Sequence, residues 1–183
     1  MPLSQFLKYI YLAQFSQPES DRQLYRVLRG RRAVRIVELG IGSLQRAVRM
    51  IELAQGYADG GPIHYTGMDL FEDRPSGREP LSLVEAHRTL KPTRAQIRLV
   101  PGKEGQSVAR TANLLLGTDL LLISADTTDP ILDAAWFYIP RMLHDGSLVL
   151  REQSDGNGGF AFTCLAHLDI AQRANRCGIR RAA

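Results

Sequence analysis

Cysteine is scarce in this 183-residue chain: Cys164 and Cys177 are the only two. Two thiols near one end make neither a disulfide framework nor a zinc site, and their scarcity fits a reducing interior. Long apolar runs are missing as well. No stretch approaches the roughly 20 residues that a membrane span needs. The start, Met1-Pro-Leu-Ser-Gln-Phe-Leu-Lys8, lacks the basic-then-apolar pattern of a secretory signal. The expectation is a soluble, cytoplasmic protein with no membrane partner. There is no internal repeat and no low-complexity tract. Arginines cluster at Arg29, Arg31, Arg32 and Arg35, and again at Arg173, Arg176, Arg180 and Arg181. No aromatic residues interleave with them as single-strand nucleic-acid binding favours. The net charge of +4 is therefore assigned to solvated surfaces, and nucleic acid is not an expected partner.

What is present is ordinary for a globular protein: 44% hydrophobic and 23% charged residues. The length suits one buried core, so residues 1–183 are read as a single domain. It divides into N-terminal helices (1–33), an α/β core (34–151), and a loop with a C-terminal helix (152–183). Apolar residues from Leu3 to Phe15 recur at threes and fours, which predicts a helix ended by Pro18. A second runs from Glu19 to Arg29, closed by Gly30. These two helices are expected to cover one face of a sheet or to rim a cleft.

The stretch from Val34 to Ser43 reads as a buried strand, a tight glycine turn and a helix start. Further strands are predicted at Ile63 to Leu70, Gln96 to Val100, Asp119 to Ala125 and Ser147 to Arg151. Helices come between them: Leu44 to Gly56, one opened by the Ser82/Glu85 capping pair, Gly105 to Leu116, and one starting at Asp129-Pro130. Asp145-Gly146 reads as a turn. The unbroken Leu-Leu-Leu-Ile of the fourth strand implies burial on both faces, hence a central parallel strand. Five strands alternating with helices give an α/β fold, a three-layer doubly wound, mostly parallel sheet with two extra N-terminal helices. Its ligand loops lie at the strand C-terminal ends.

Acids stand where the first two strands end, Glu38 and Asp69. An acid at the end of the second strand, Asp69, suits the two hydroxyls of a ribose. Gly40 and Gly42 let backbone approach a ligand. The dinucleotide fingerprint needs a third glycine where this chain has Gln45. No basic residue stands in the turn to meet phosphate. Both absences favour a nucleoside ligand without phosphates over an oxidoreductase cofactor.

Four segments, Val37-Glu-Leu-Gly-Ile-Gly42, Thr66-Gly-Met-Asp-Leu70, Asp119-Leu-Leu-Leu-Ile-Ser-Ala-Asp126 and Met142-Leu-His-Asp-Gly-Ser-Leu-Val-Leu150, resemble successive motifs of the class I S-adenosylmethionine-dependent methyltransferases. They stand in the family's order over about residues 34 to 151. The resemblance implies a Rossmann-like methyltransferase fold with S-adenosylmethionine lying across Gly40 and Gly42. Asp69 would hold the ribose hydroxyls, with Leu70 against the adenine and Lys103 or Glu104 at its edge. Glu38 would orient the turn. Ser43 and Ser124 complete the candidate cofactor-binding set, and Asp126 is the candidate catalytic base.

Within that superfamily the fourth strand looks like the metal-dependent catechol and caffeoyl-CoA type. Ser124 replaces its inner acid, and Glu152-Gln153 replaces its Asp-Asn pair, so no metal is expected. The Pro-Pro-Tyr motif of nitrogen methylators is absent. The reading is a methyltransferase for a small-molecule acceptor. The alternative is a catalytically silent cofactor-binding or interaction module on the same fold. Family members usually add an antiparallel strand pair after the fifth strand. Here Phe160 to Cys164 supplies at most one short strand, and the last helix is expected over Ala161 to Arg176. The fifth strand is thus expected at or near an edge, covered by the N-terminal helices or by a second copy in a homodimer.

Overall fold

The computed structural model describes residues 3–182. The side chains of residues 3–5 and 179–182, which include Leu3, Arg180 and Arg181, lie outside what is described. Two helices, α1 (Leu3–Phe15) and α2 (Glu19–Leu28), precede the sheet. Then come β1 (Arg35–Leu39), α3 (Leu44–Gln55), β2 (His64–Asp69), α4 (Leu83–Leu90), β3 (Gln96–Pro101) and α5 (Glu104–Thr111). The chain continues through β4 (Thr118–Ile123), α6 (Asp129–Trp136), α7 (Ile139–Met142), β5 (Leu143–Ser154), β6 (Phe160–Cys164) and α8 (His167–Ala182).

The sheet has six strands in the order β3-β2-β1-β4-β5-β6. β1 to β5 run parallel, and β6 is antiparallel to β5. This is the expected doubly wound α/β sheet with one strand more than the five expected. The burial of β4 follows its sequence. Leu120 and Leu122 join the core under α1, α2 and α3, with Leu24, Tyr25, Met50 and Ile51. Leu121 and Ile123 join the core under α5 to α8, with Val108, Trp136, Ile139 and Ile170. The N-terminal helices thus cover one sheet face.

Three expectations are corrected. The last helix starts at His167 and not at Ala161, because the short strand allowed over Phe160 to Cys164 does form: its aromatic and β-branched residues pair with β5 from Leu150↔Cys164 to Ser154↔Phe160. The hairpin loop is tied by Asp155, whose Oδ1 accepts the amides of Asn157 and Gly159 at 2.8 and 2.9 Å. The second correction follows. β5 lies next to the edge, as expected, but its outer side is covered by β6, which takes the edge position itself. Third, Asp145-Gly146 does not precede β5 but lies inside it. Thr118 pairs with Leu143 and Leu120 with Leu148, so the stretch between bulges out of the ladder.

Local signals explain most boundaries. Ser82 Oγ accepts the Glu85 amide at 3.1 Å and caps α4. Thr128 stands at the N-cap of α6, with Asp129 and Pro130 in its first turn. Pro140 stands in the first turn of α7, just after the break at Phe137 and Tyr138. No helix among the described residues is long and apolar enough to cross a membrane.

Candidate functional site

The ends of β1, β2 and β4 meet at the point where the strand order reverses, which is where open α/β sheets bind ligands. Gly40 sits there with φ +72° and donates its amide to Met68 O at 2.8 Å. A Cβ at Gly40 would stand 2.6 Å from Thr127 Oγ1 and 3.1 Å from Ser124 Cβ. Left-handed backbone and close packing together require glycine. A Cβ at Gly42 would stand 2.1 Å from Arg46 Nη2. In both cases the close neighbour is the protein's own side chain. Ser43 is the N-cap residue of α3, without a side-chain capping bond.

Asp69 is fully buried. Its Oδ2 accepts the Ile41 amide of the glycine turn at 2.8 Å, and its Oδ1 accepts the Phe71 amide at 3.0 Å. Arg74 grips both oxygens, Nε to Oδ1 at 2.7 Å and Nη2 to Oδ2 at 2.8 Å. The same guanidinium also donates to the carbonyls of Ile41 and Glu79. Burial pushes the Asp69 carboxyl up, but the Arg74 bonds and the Phe71 amide outweigh it and hold the group below its ordinary value. Arg78 bridges outward, 3.7 Å from Asp69 Oδ2 and 3.0 Å from Asp126 Oδ2. Asp126 is thus half-exposed and ion-paired.

The second group lies toward β5. Arg46, on the first turn of α3, is buried among three acids: Glu152 at 2.8 Å, Glu38 at 3.5 Å and Asp21 at 3.6 Å. Its guanidinium also stands over the Phe162 ring at 5.6 Å. Tyr65 donates its hydroxyl to Glu38 at 2.6 Å, and Ser20 donates to Glu152 at 3.2 Å. One guanidinium cannot satisfy three buried carboxylates. Burial raises Glu38, partly offset by Arg46 and Tyr65. Burial likewise raises Asp21 to about 6, against the attraction of Arg46 and with the help of Glu152 and Glu38. Asp21 Oδ1 and Arg46 Nε are buried without a hydrogen bond.

The remaining sequence-stated candidates scatter. Glu104 is buried beside Gly40, its Oε1 3.7 Å from where a Cβ would stand, and burial raises its carboxyl. Lys103 is exposed at the N-cap of α5, and Leu70 is half-buried. Glu38, Gly40, Gly42, Asp69 and Ser124 gather at the turn. Three residues that sequence reasoning passed over complete it: Arg46, Arg74 and Thr127, whose Oγ1 donates to Leu39 O at 3.1 Å. The available signal was Arg46 four positions after Gly42; for Arg74, in an irregular loop, there was none. Among the described residues no group of three or more His, Cys, Asp or Glu is arranged to hold a metal.

No protein-family model matches the chain, and no curated protein matches it. Solved structures do. One is a TehB-like SAM-dependent methyltransferase from Corynebacterium glutamicum, at 16% identity and TM-score 0.49, covering 95% of this chain and 79% of the other. Another is a putative protein-L-isoaspartate O-methyltransferase from Plasmodium falciparum in complex with S-adenosyl-L-homocysteine, at 13% identity and TM-score 0.49, covering 80% and 68%. A third is the MycE methyltransferase of mycinamycin biosynthesis with Mg and SAH, at 18% identity and TM-score 0.41. That match covers 84% of this chain, which spans only 35% of MycE. All three are likenesses of fold.

Proposed function

We propose that the chain binds S-adenosylmethionine and transfers its methyl group to a small-molecule acceptor. The observation that carries the reading is the Asp69 Oδ2 bond to the Ile41 amide, which joins the acid ending β2 to the glycine turn ending β1. A carboxylate so placed beside the strand-order reversal is a receptor for vicinal hydroxyls. The sequence places no basic residue within the turn, but the fold brings Arg46 over Gly42 and Arg74 onto Ile41 O, so the absence of basic side chains does not itself separate a sulfonium nucleoside from a pyrophosphate.

The backbone frame fits such a ligand, but the side chains in this conformation do not. Both oxygens of Asp69 already accept two hydrogen bonds each from the protein. The space over Gly42 holds Arg46. A ribose at Asp69 therefore requires Arg74 to leave. Asp126, at the end of β4, remains the candidate base, and its present partner is Arg78. Titration calorimetry with S-adenosylmethionine and S-adenosylhomocysteine tests the reading. Heat with either supports it, and none with either, on folded protein, refutes it.

A second reading keeps the fold without turnover, as a silent binding or interaction module. The same internal pairing of Asp69, Asp126 and Glu152 with arginines favours it. Cofactor heat without methyl transfer across a broad acceptor panel distinguishes it from the first.

A further inference from the structure

A second departure from an apolar α/β sheet lies at the other ends of the strands. Arg35, His64 and Gln96 are register partners on β1, β2 and β3, and so are Val37, Thr66 and Arg98 two residues on. Partners in a parallel register point to the same face. Farther along that face the corresponding residues are Leu39, Met68 and Val100, which pack in the core under α5 to α8. On the opposite face the same strands present Ile36, Tyr65 and Ile97. Inner parallel strands are ordinarily apolar on both faces. A charged edge strand discourages edge pairing, and that accounts for Arg98 on β3. It does not account for Arg35, His64 and Thr66 on the inner strands β1 and β2.

The helix layer stops short of this row. α5 ends at Thr111, and a single 3-10 turn over Ala112–Leu114 leads back to β4. The result is a cavity of about 370 Å³ lined by the polar row and by Leu114, Leu115 and Thr118. That is within the size of small-molecule sites, roughly 300–1,000 Å³. Thr118 donates its hydroxyl to Leu115 O at 2.7 Å and so pins the roof. Leu114 presents an apolar rim, 61% exposed. No acidic side chain lines the cavity. The Arg35 side chain makes one long bond, to Leu116 O at 3.4 Å, while its amide donates to Asp119 Oδ2 at 2.7 Å, and the Arg98 side chain has no hydrogen bond or ion pair among the described residues.

We propose that this cavity binds a small organic oxyanion, a carboxylate or a phosphate ester with an apolar body. Arg35 and Arg98 take the anionic group, because a guanidinium fork matches two oxygens of either. Leu114 and Leu115 cover the body. The site is separate from the glycine turn: β1 carries Arg35 at one end and Leu39 at the other, about 13 Å apart at the usual strand rise.

Calorimetric or NMR titration of the whole chain with phenyl phosphate, benzoate and the neutral benzyl alcohol tests this. Saturable binding of either anion, with none for the alcohol, is the expected result, and the tighter anion identifies the headgroup. Arg98→Gln should weaken that binding about tenfold, as should Arg35→Gln. The Arg98 side chain makes no hydrogen bond or ion pair among the described residues, so its variant decides the matter should Arg35→Gln lower the melting temperature. Failure of both anions to saturate overturns the proposal. So does binding that Arg98→Gln leaves intact, or binding lost instead in Arg74→Ala, which would put the anion at the glycine turn.

Discussion

Two buried arginines close the glycine turn, and they are built on opposite plans. Arg74 reaches back from an irregular loop and meets one carboxylate with two parallel bonds. Arg46 stands on a helix and is shared by three carboxylates, with only one contact under 3 Å. The first plan satisfies its acid and holds Asp69 below its ordinary value. The second leaves Asp21 and Glu38 raised by burial that Arg46, with Arg49 beside Asp21, does not offset. A one-to-one pair settles charge. A shared cation leaves a proton to be placed, and the two regions therefore answer pH with opposite signs.

The largest expected effect breaks the shared plan outright. Arg46→Ala removes the cation paired with Glu38, Asp21 and Glu152, leaving Asp21 only the attraction of Arg49, and should cost about 3–5 kcal/mol in chemical denaturation at neutral pH. A loss under about 1 kcal/mol would mean that the acids are already neutral and that Arg46 is not their counter-charge.

Next comes the pH response. Asp21 has a folded value of about 6, above its ordinary 3.8. Between those values the folded protein holds a proton that the unfolded chain has released, so stability falls as pH rises from about 4 to about 6. A shift of this size corresponds to about 3 kcal/mol. Asp21→Asn should remove that slope and leave the variant more stable than the natural chain at about pH 8. Asp69 has the reverse sign. Its contribution is present above the unfolded value of about 3.9 and is lost as pH falls through its lowered folded value. Denaturation curves across pH that showed no fall between about 4 and 6 would remove the contrast.

The Arg74 plan is sharpened by ligand affinity. If Arg74 competes with a ribose for Asp69, Arg74→Ala should bind S-adenosylhomocysteine about tenfold more tightly by calorimetry. Equal affinity would show that Arg74 is no competitor. The smallest effect serves as a control on the same loop. Ser82→Ala removes the cap where the loop enters α4 and should cost about 1 kcal/mol in thermal melting. Affinity should stay unchanged, which separates loss of the Arg74 contact from general loosening.

The order of elements was legible because periodicity and punctuation are local. Leu120 to Ile123 announced a strand buried on both faces, and Ser82 announced its helix. Phe160 to Cys164 reads either as a short strand or as the start of the last helix, because five residues carry no period of their own. They became a strand through pairing with β5, a contact set by the hairpin at Asp155. At the site, Glu38, Gly40, Gly42 and Asp69 were legible from their positions at strand ends. Arg74 was not, because nothing local in Phe71 to Pro80 says where an arginine will reach.

Sequence alone determined the layered α/β order, the glycine turn and the acids at the ends of β1 and β2, because strand ends and φ-positive turns are written in neighbouring residues. Only the tertiary structure decided what faces those acids. Arg46 meets Asp21 and Glu152 across long separations, and Arg74 turns back onto Asp69. A charge partner is chosen by distance in space, and the packing of the whole sheet sets that distance.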